Sequence, residues 1–168
     1  MKILNLGAGN RIIEAADNHD IVKHRSEINI VFDLDKITDW VMAIACDLDI
    51  SINDTFERYD RVEFISVIEH LQITPIEALN RCWYLLKPNG VLVVKYPHYT
   101  SSTMATDPTH RWRLNEESLE YVDPNTKHGQ DCNYYTDKKW NILTPRENRM
   151  VVRGGNRTNV KLEMRPIK

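Results

Sequence analysis

Residues 74–94 read TPIEALNRCWYLLKPNGVLVV. Thr74 is a capping residue, Pro75 stands at the first helical position, and Glu77 follows three residues after the threonine, which together mark a helix start. Ile76, Leu79, Cys82, Trp83 and Leu86 then recur at helical spacing. Pro88-Asn89-Gly90 stops the helix and turns the chain. Val91-Leu92-Val93-Val94 is a near-continuous apolar run, the kind buried on both faces of a parallel sheet.

Outward from this unit the same logic repeats. Upstream, Arg61–Val67 (RVEFISV) is β-branched and aromatic, and reads as the strand that feeds the helix. Lys2–Leu6 is a short strand, followed by the tight turn Gly7-Ala8-Gly9-Asn10. Residues 11–27 are polar and read as a short helix or an irregular loop. Ile28–Phe32 reads as a buried strand ending at Asp33. Val41–Cys46 reads as another ending at Asp47, although its early part also suits a helix. Strand, turn, strand, helix, strand in this order predicts a doubly wound α/β sheet. Downstream, Pro97–Pro124 is a long polar segment with one short helix, capped by Asn115 and running Glu116–Tyr121. Trp140–Leu143 and Val160–Met164 read as closing strands, the second alternating cleanly and therefore antiparallel or at an edge.

The bulk numbers fit this picture. The chain has 168 residues, enough for one domain spanning 1–168. A chain of this size can bury about 70% of the surface its unfolded form exposes. Hydrophobic residues make up 42% and charged residues 27%, which excludes collagen-like, disordered and disulfide-scaffold classes. A net charge of −2 gives no basic excess for duplex nucleic acid, though it leaves room for a local basic patch. No apolar run approaches the ~18 residues of a membrane span, and the N-terminal MKILNLGAG lacks a signal-peptide pattern. Cys46, Cys82 and Cys132 lie far apart, which predicts reduced thiols in a cytoplasmic protein.

The candidate chemistry lies at strand ends. Glycines after a strand let the backbone pass close beneath a ligand, and in an open α/β sheet ligands sit beyond the carboxyl ends of the strands. A dinucleotide fingerprint would need a third glycine at position 12, where Ile12 stands, so a pyrophosphate site is disfavoured. Asp33 and Asp47 follow apolar runs. A carboxylate so placed accepts hydrogen bonds from ribose hydroxyls or from an adenine amino group, or else caps a turn.

Taken in order, LNLGAGN (4–10), the acidic strand end, DLD (47–49), VIEHL (67–71) and LLKPNGVLVV (85–94) resemble the class I S-adenosylmethionine-dependent methyltransferases. The resemblance covers about residues 2–97. It extends to about 165 through Asn18-His19-Asp20-Ile21, Lys23-His24-Arg25, Pro97-His98-Tyr99 and Asp107-Pro108-Thr109-His110. In these the chain is similar to a small, poorly characterised branch of that superfamily. The resemblance implies a seven-stranded, mostly parallel sheet with an antiparallel C-terminal edge. Residues 1–97 would form the cofactor half, and 98–168 the acceptor-side loop and closing strands.

It also implies S-adenosylmethionine as cofactor and methyl transfer as the reaction. The expected cofactor residues are Asn5, Gly7, Ala8, Gly9 and Asn10 around the methionine portion and ribose, with Ser66, Val67 and His70 lining the same crevice. Asp33 is preferred for the ribose on its apolar lead-in, with Asp20 the alternative that the Asn-His-Asp motif suggests. Asp47 and Leu48 are assigned to the adenine side.

His98, Asp107 and His110 are the expected catalytic groups, since a hydroxyl or nitrogen acceptor must shed a proton. No metal is expected, because nothing in the sequence fixes a ligand geometry for them. His19 and His24 read as solvated. Trp112, Tyr134 and Tyr135 are candidate walls of an acceptor pocket, and Trp140 reads as core. Arg146, Arg149, Arg153 and Arg157, with Gly154-Gly155, read as a solvated hairpin. The acceptor is expected to be a small molecule, a sugar or a modified base, and the small size is compatible with a homodimer. The competing reading is a non-catalytic S-adenosylmethionine-binding scaffold.

Overall fold

The computed structural model describes residues 1–152 and 156–168. Arg153 and the Gly154-Gly155 pair therefore lie outside the described residues. Three short parallel strands come first: β1 (Ile3–Leu6), β2 (Asp17–Asp20) and β3 (Ile28–Val31). After them come α1 (Trp40–Leu48), β4 (Tyr59–Ile65), α2 (Pro75–Leu85) and β5 (Leu86–Pro97). The remainder holds α3 (Ser102–Thr106), α4 (Lys127–Asp131), β6 (Lys139–Ile142), β7 (Met150–Val152) and β8 (Thr158–Ile167).

The sheet order is β3-β2-β1-β4-β5-β8-β6, with β7 pairing the same edge of β8 as β6. Strands β1 to β5 are parallel, and β8 is antiparallel to β5, β6 and β7. This is the expected doubly wound α/β sheet with an antiparallel C-terminal end. Seven strands lie along the path, and the short β7 is an eighth beyond expectation. The order runs outward from β1 in one direction and from β4 in the other. The switch point, where a ligand crevice opens, therefore falls between the carboxyl ends of β1 and β4.

Two sequence expectations fail here. Val41–Cys46 is not a strand but the body of α1. Asp39 supplies its N-cap, accepting from the Met42 N–H at 2.9 Å, and Trp40, Val41, Ile44 and Ala45 turn inward. A six-residue apolar run carries no period that separates helix from buried strand. Conversely, the polar run Asp17–Asp20 is β2. Its middle residues are buried because their polar atoms are bonded. Asn18 Oδ1 accepts from Asn5 Nδ2 and the Ile13 N–H, while its Nδ2 donates to the Ile13 and Ala16 carbonyls.

Helix α2 forms as read: Thr74 Oγ1 accepts from the Glu77 N–H at 3.1 Å, and Ala78, Leu79, Cys82 and Leu85 are buried. The Pro88-Asn89-Gly90 segment ends the helix but stays within β5, where the pairing to β4 shifts register. Gly90 is required there, since a Cβ would stand 2.9 Å from the Tyr59 carbonyl. One hydrophobic core joins Leu4, Leu6, Phe64 and Val94 of the sheet to Leu79 and Cys82 of α2, and to Leu114 and Trp140 beyond β5.

The basic stretch read as a solvated hairpin is corrected at Arg149, while Arg157 is exposed. Arg149 is buried, 2.7 Å from Glu120, and Arg146 binds both oxygens of the same carboxylate.

Candidate active site at the carboxyl edge

The glycine turn after β1 is built on β2. Gly7 and Gly9 adopt left-handed φ of 64° and 52°. The Gly7 N–H donates to His19 Nδ1 at 3.2 Å, the Ala8 N–H to the His19 carbonyl at 2.8 Å, and the Gly9 N–H to Asp20 Oδ2 at 2.6 Å. His19 is therefore buried and structural, not solvated. Since Nδ1 accepts, Nε2 carries the proton and donates to the Phe32 carbonyl at 2.9 Å. Burial lowers the basicity of this ring and keeps it neutral. His24 is exposed but reaches the Gly9 carbonyl through Nε2 at 2.8 Å.

The two glycines differ in what they leave open. A Cβ on Gly7 would stand 2.5 Å from Val67 Cγ2, whereas a Cβ on Gly9 would meet nothing within 4 Å. Gly7 thus permits close packing of the turn against the chain after β4, and Gly9 faces open space. Beside the turn lies a cleft of about 310 Å³ whose lining includes Gly7, Gly9, Asp20, Asp33, Ser66 and Val67, at the lower end of the usual size for a ligand pocket. Asp33 accepts from the Asp35 N–H and pairs with Lys36. Despite its burial cost, these partners hold its carboxyl below the usual range.

Asn5 and Asn10 sit around the turn, outside the lining of this cleft. Asn5 Nδ2 donates to the Arg11 carbonyl, and Asn10 Oδ1 accepts from Arg25. Ala8 is buried. Asp47 lies in α1, not at a strand end, and its Oδ2 accepts from the β3 Val31 N–H at 2.7 Å. Leu48 packs against the core. The assignment of Asp47 and Leu48 to the adenine side therefore falls with the strand on which it rested.

Beyond Ser66 the chain turns sharply. Ser66 has φ 56°, its N–H donates to the Lys95 carbonyl, and the His70 N–H closes a turn on Val67. The Glu69 carbonyl accepts from the N–H groups of Arg111 and Trp112, and Trp112 Nε1 donates to the Leu71 carbonyl. These bonds pin the loop after α3 onto the turn after β4. The His110 ring lies tilted against His70, with centroids 4.6 Å apart and planes at 60°, and its Nε2 lies 4.0 Å from Glu69 and 3.8 Å from Asp107.

A second cleft of about 240 Å³ results, whose lining includes Glu69, Asp107, His110 and Asn159. It shares Ser66 and His70 with the first. Burial pushes the Glu69 carboxyl up to about 7. Burial and the adjacent His110 lower His70. Hydrogen bonds from Thr109 hold Asp107 below the usual range.

The structure brings Asp107 and His110 together, but not His98. His98 is buried at the end of β5, with Nδ1 2.7 Å from Thr100 Oγ1 and Nε2 3.2 Å from Glu116. Both ring nitrogens are engaged away from the second cleft, so His98 is corrected to a support of the β5 end. Glu69 and Thr109 are members that sequence reasoning passed over, although they stand in VIEHL and Asp-Pro-Thr-His. Tyr134 and Tyr135 are exposed, and Trp140 is core as expected. A larger cleft, about 400 Å³, lies between α1 and α2. Its main polar groups are already committed, Asp39 to the helix cap and Arg81 to Glu77 and the Leu34 and Ile37 carbonyls.

No helix among the described residues is long and apolar enough to cross a membrane. No family model matches the chain. No curated protein matches it by sequence. Solved structures do match by fold. A SAM dependent methyltransferase from Archaeoglobus fulgidus aligns with TM-score 0.53 at 14% identity, over 98% of this chain and 85% of that one. The YcgJ protein from Bacillus subtilis aligns with TM-score 0.53 at 10% identity, over 99% and 92%. The trans-methyltransferase CalH in complex with SAH aligns with TM-score 0.55 at 17% identity, over 98% of this chain and 51% of that one. The chain therefore has the Rossmann-like fold of the S-adenosylmethionine-dependent methyltransferases.

Proposed function

We propose that the chain is an S-adenosylmethionine-dependent methyltransferase acting on a small-molecule, sugar or modified-base acceptor. The observation that carries the reading is the pair of adjoining clefts at the switch point, one with an open glycine turn and acids, the other with a polar cluster. The first cleft suits the cofactor, since Gly9 leaves room beside the turn and Asp20 closes β2 next to it. Neighbouring strands lie about 4.8 Å apart. Asp20 is thus one strand from the β1 turn, and Asp33 is two. We therefore assign Asp20 to the ribose hydroxyls and Asp33 to the adenine side, reversing the preference drawn from sequence. Ser66, Val67 and His70 form the wall facing the second cleft, and Asn5 holds the turn in shape from behind.

When bound, the cofactor supplies a methyl group made electrophilic by a sulfonium. The protein's task is to hold an acceptor heteroatom on the line of attack. Asp107 and His110 offer a carboxylate and an imidazole to orient that heteroatom by hydrogen bonding. A non-catalytic scaffold would have no use for this polar cluster, which favours the enzyme. The unpaired thiols support a reducing, cytoplasmic setting. Calorimetry with S-adenosylmethionine and S-adenosylhomocysteine tests the cofactor, and a consumption screen over sugars, nucleosides and nucleic acids tests the acceptor. Binding without turnover on any acceptor would favour the scaffold.

A further inference from the structure

A cluster of metal-ligating side chains stands in the wall of the second cleft. Glu69, His70 and His110 each offer one ligand atom, and these atoms all lie within 4.8 Å of one another. The cluster is tertiary: the first two residues follow β4, and the third arrives on the loop pinned by Arg111 and Trp112. Two of its side chains carry a buried atom without a hydrogen-bond partner, Oε2 of Glu69 and Nδ1 of His110, while Glu69 Oε1 and His110 Nε2 face each other at 4.0 Å. The two side chains are only 1% and 8% exposed. Buried polar atoms are nearly always bonded, so two orphans in one cluster call for a missing partner.

The third ligand is oriented for the same purpose. Thr109 Oγ1 donates to Asp107 Oδ1 at 2.6 Å and lies 2.8 Å from His70 Nδ1. The hydroxyl's single hydrogen is committed to the carboxylate, so Nδ1 must carry the proton and donate. Nε2 is left with its lone pair. An imidazole held through its other nitrogen toward a carboxylate is the usual arrangement of a metal-ligating histidine.

We propose that Glu69, His70 and His110 bind a divalent transition-metal cation. Two imidazoles and a carboxylate suit first-row ions of the zinc, manganese and iron type better than magnesium or calcium, which prefer oxygen ligands. Ligands about 2.1 Å from one ion lie about 3–3.5 Å apart, so side-chain adjustments on the order of 1 Å complete the site. The other candidate cluster, Glu117, Glu120 and His128, carries no such case, because Arg146 and Arg149 already engage Glu120. The ion's role rests on the methyltransferase reading: beside the acceptor space it would polarise an acceptor oxygen. The binding site itself does not depend on that reading.

The test uses the full chain, stripped with a chelator and titrated with Zn²⁺ by calorimetry and with Co²⁺ by visible absorption. One ion per chain is expected. Glu69→Gln and His110→Asn should each weaken binding at least about 100-fold, and Thr109→Val about 10-fold, as for the loss of an outer partner. Glu117→Gln should leave it unchanged. Sub-stoichiometric Co²⁺ should broaden the ring resonances of His70 and His110, a readout that needs no variant. Absence of binding tighter than about 1 mM, wild-type affinity in both ligand variants, or broadening confined to other histidines overturns the proposal. A parallel titration with S-adenosylhomocysteine keeps the two readings separable, since metal binding without cofactor binding would sink only the methyltransferase.

Discussion

The backbone N–H of Gly9 donates to Oδ2 of Asp20 at 2.6 Å, which makes the turn after β1 and the acid at the end of β2 a single unit. Asp20 Oδ1 also accepts from the Ile21 N–H, so the carboxylate is fixed while keeping lone pairs for a ligand. Asp20→Asn should therefore weaken S-adenosylhomocysteine binding by about 2–4 kcal/mol, since two hydroxyl bonds to a charged acceptor are lost. Asp33→Asn should cost less. Titration calorimetry of both variants checks the order, and the reverse order would return the ribose to Asp33.

The two glycines should fail in different ways. Gly7→Ala adds left-handed strain of about 1–2 kcal/mol and drives a Cβ into Val67, with overpacking worth about 1–3 kcal/mol more. Val67→Ala in the same chain should recover part of that loss. Gly9→Ala carries only the strain, yet its methyl enters the first cleft and should reduce cofactor affinity at least about tenfold. Denaturant unfolding alongside calorimetry separates the two. A Gly7→Ala loss that Val67→Ala leaves untouched would show that the contact is not the cause.

His19 ties stability to pH. Burial depresses its basicity, so the unfolded chain binds its proton more readily than the folded one. Stability should be full above the ordinary histidine range, near pH 6.5, and should fall as pH drops below it. His19→Gln, which cannot titrate, should lower stability at pH 7.5 and flatten the decline between pH 7.5 and 5.5. Urea unfolding at the two pH values is the measurement, and parallel declines in both proteins would remove His19 as the source.

Much of the sheet was legible because its strands obey the apolar rule. Val91–Val94, Ile28–Phe32 and the capped helix from Pro75 carry period, cap and breaker signals together. The failures are physical. The β2 strand is legible only through Asn18 and His19 finding partners on Asn5, Ile13, Gly7 and Phe32, contacts that no local pattern encodes. Val41–Cys46 is too short for periodicity to choose between helix and strand, although Asp39 offered the cap that decides it. At the site, Asp107 and His110 were legible as a polar cluster. Glu69 was not, since its role comes from burial by a loop about 40 residues later.

The closing segment depends on one buried carboxylate. Glu120 pairs with Arg149 at 2.7 Å and Arg146 at 2.8 Å. Burial alone would raise its carboxyl, but the two guanidiniums outweigh that and hold it below the usual range. Its contribution is present at neutral pH and is lost as pH falls through that depressed value. Glu120→Ala leaves Arg149 buried without a counter-charge and should cost about 3–5 kcal/mol, a fall in Tm on the order of 10 °C. A Tm within about 2 °C of wild type would show the pair to be dispensable.

The central claim is that the cleft beside Gly9 and Asp20 holds the adenosyl cofactor. Titration of the full chain with S-adenosylhomocysteine, in wild type and in Asp20→Asn, tests it most directly. The account predicts one molecule bound per chain, with affinity lowered about 30-fold or more in the variant, the equivalent of at least about 2 kcal/mol. No heat of binding at millimolar ligand, or equal affinity in both proteins, would contradict it.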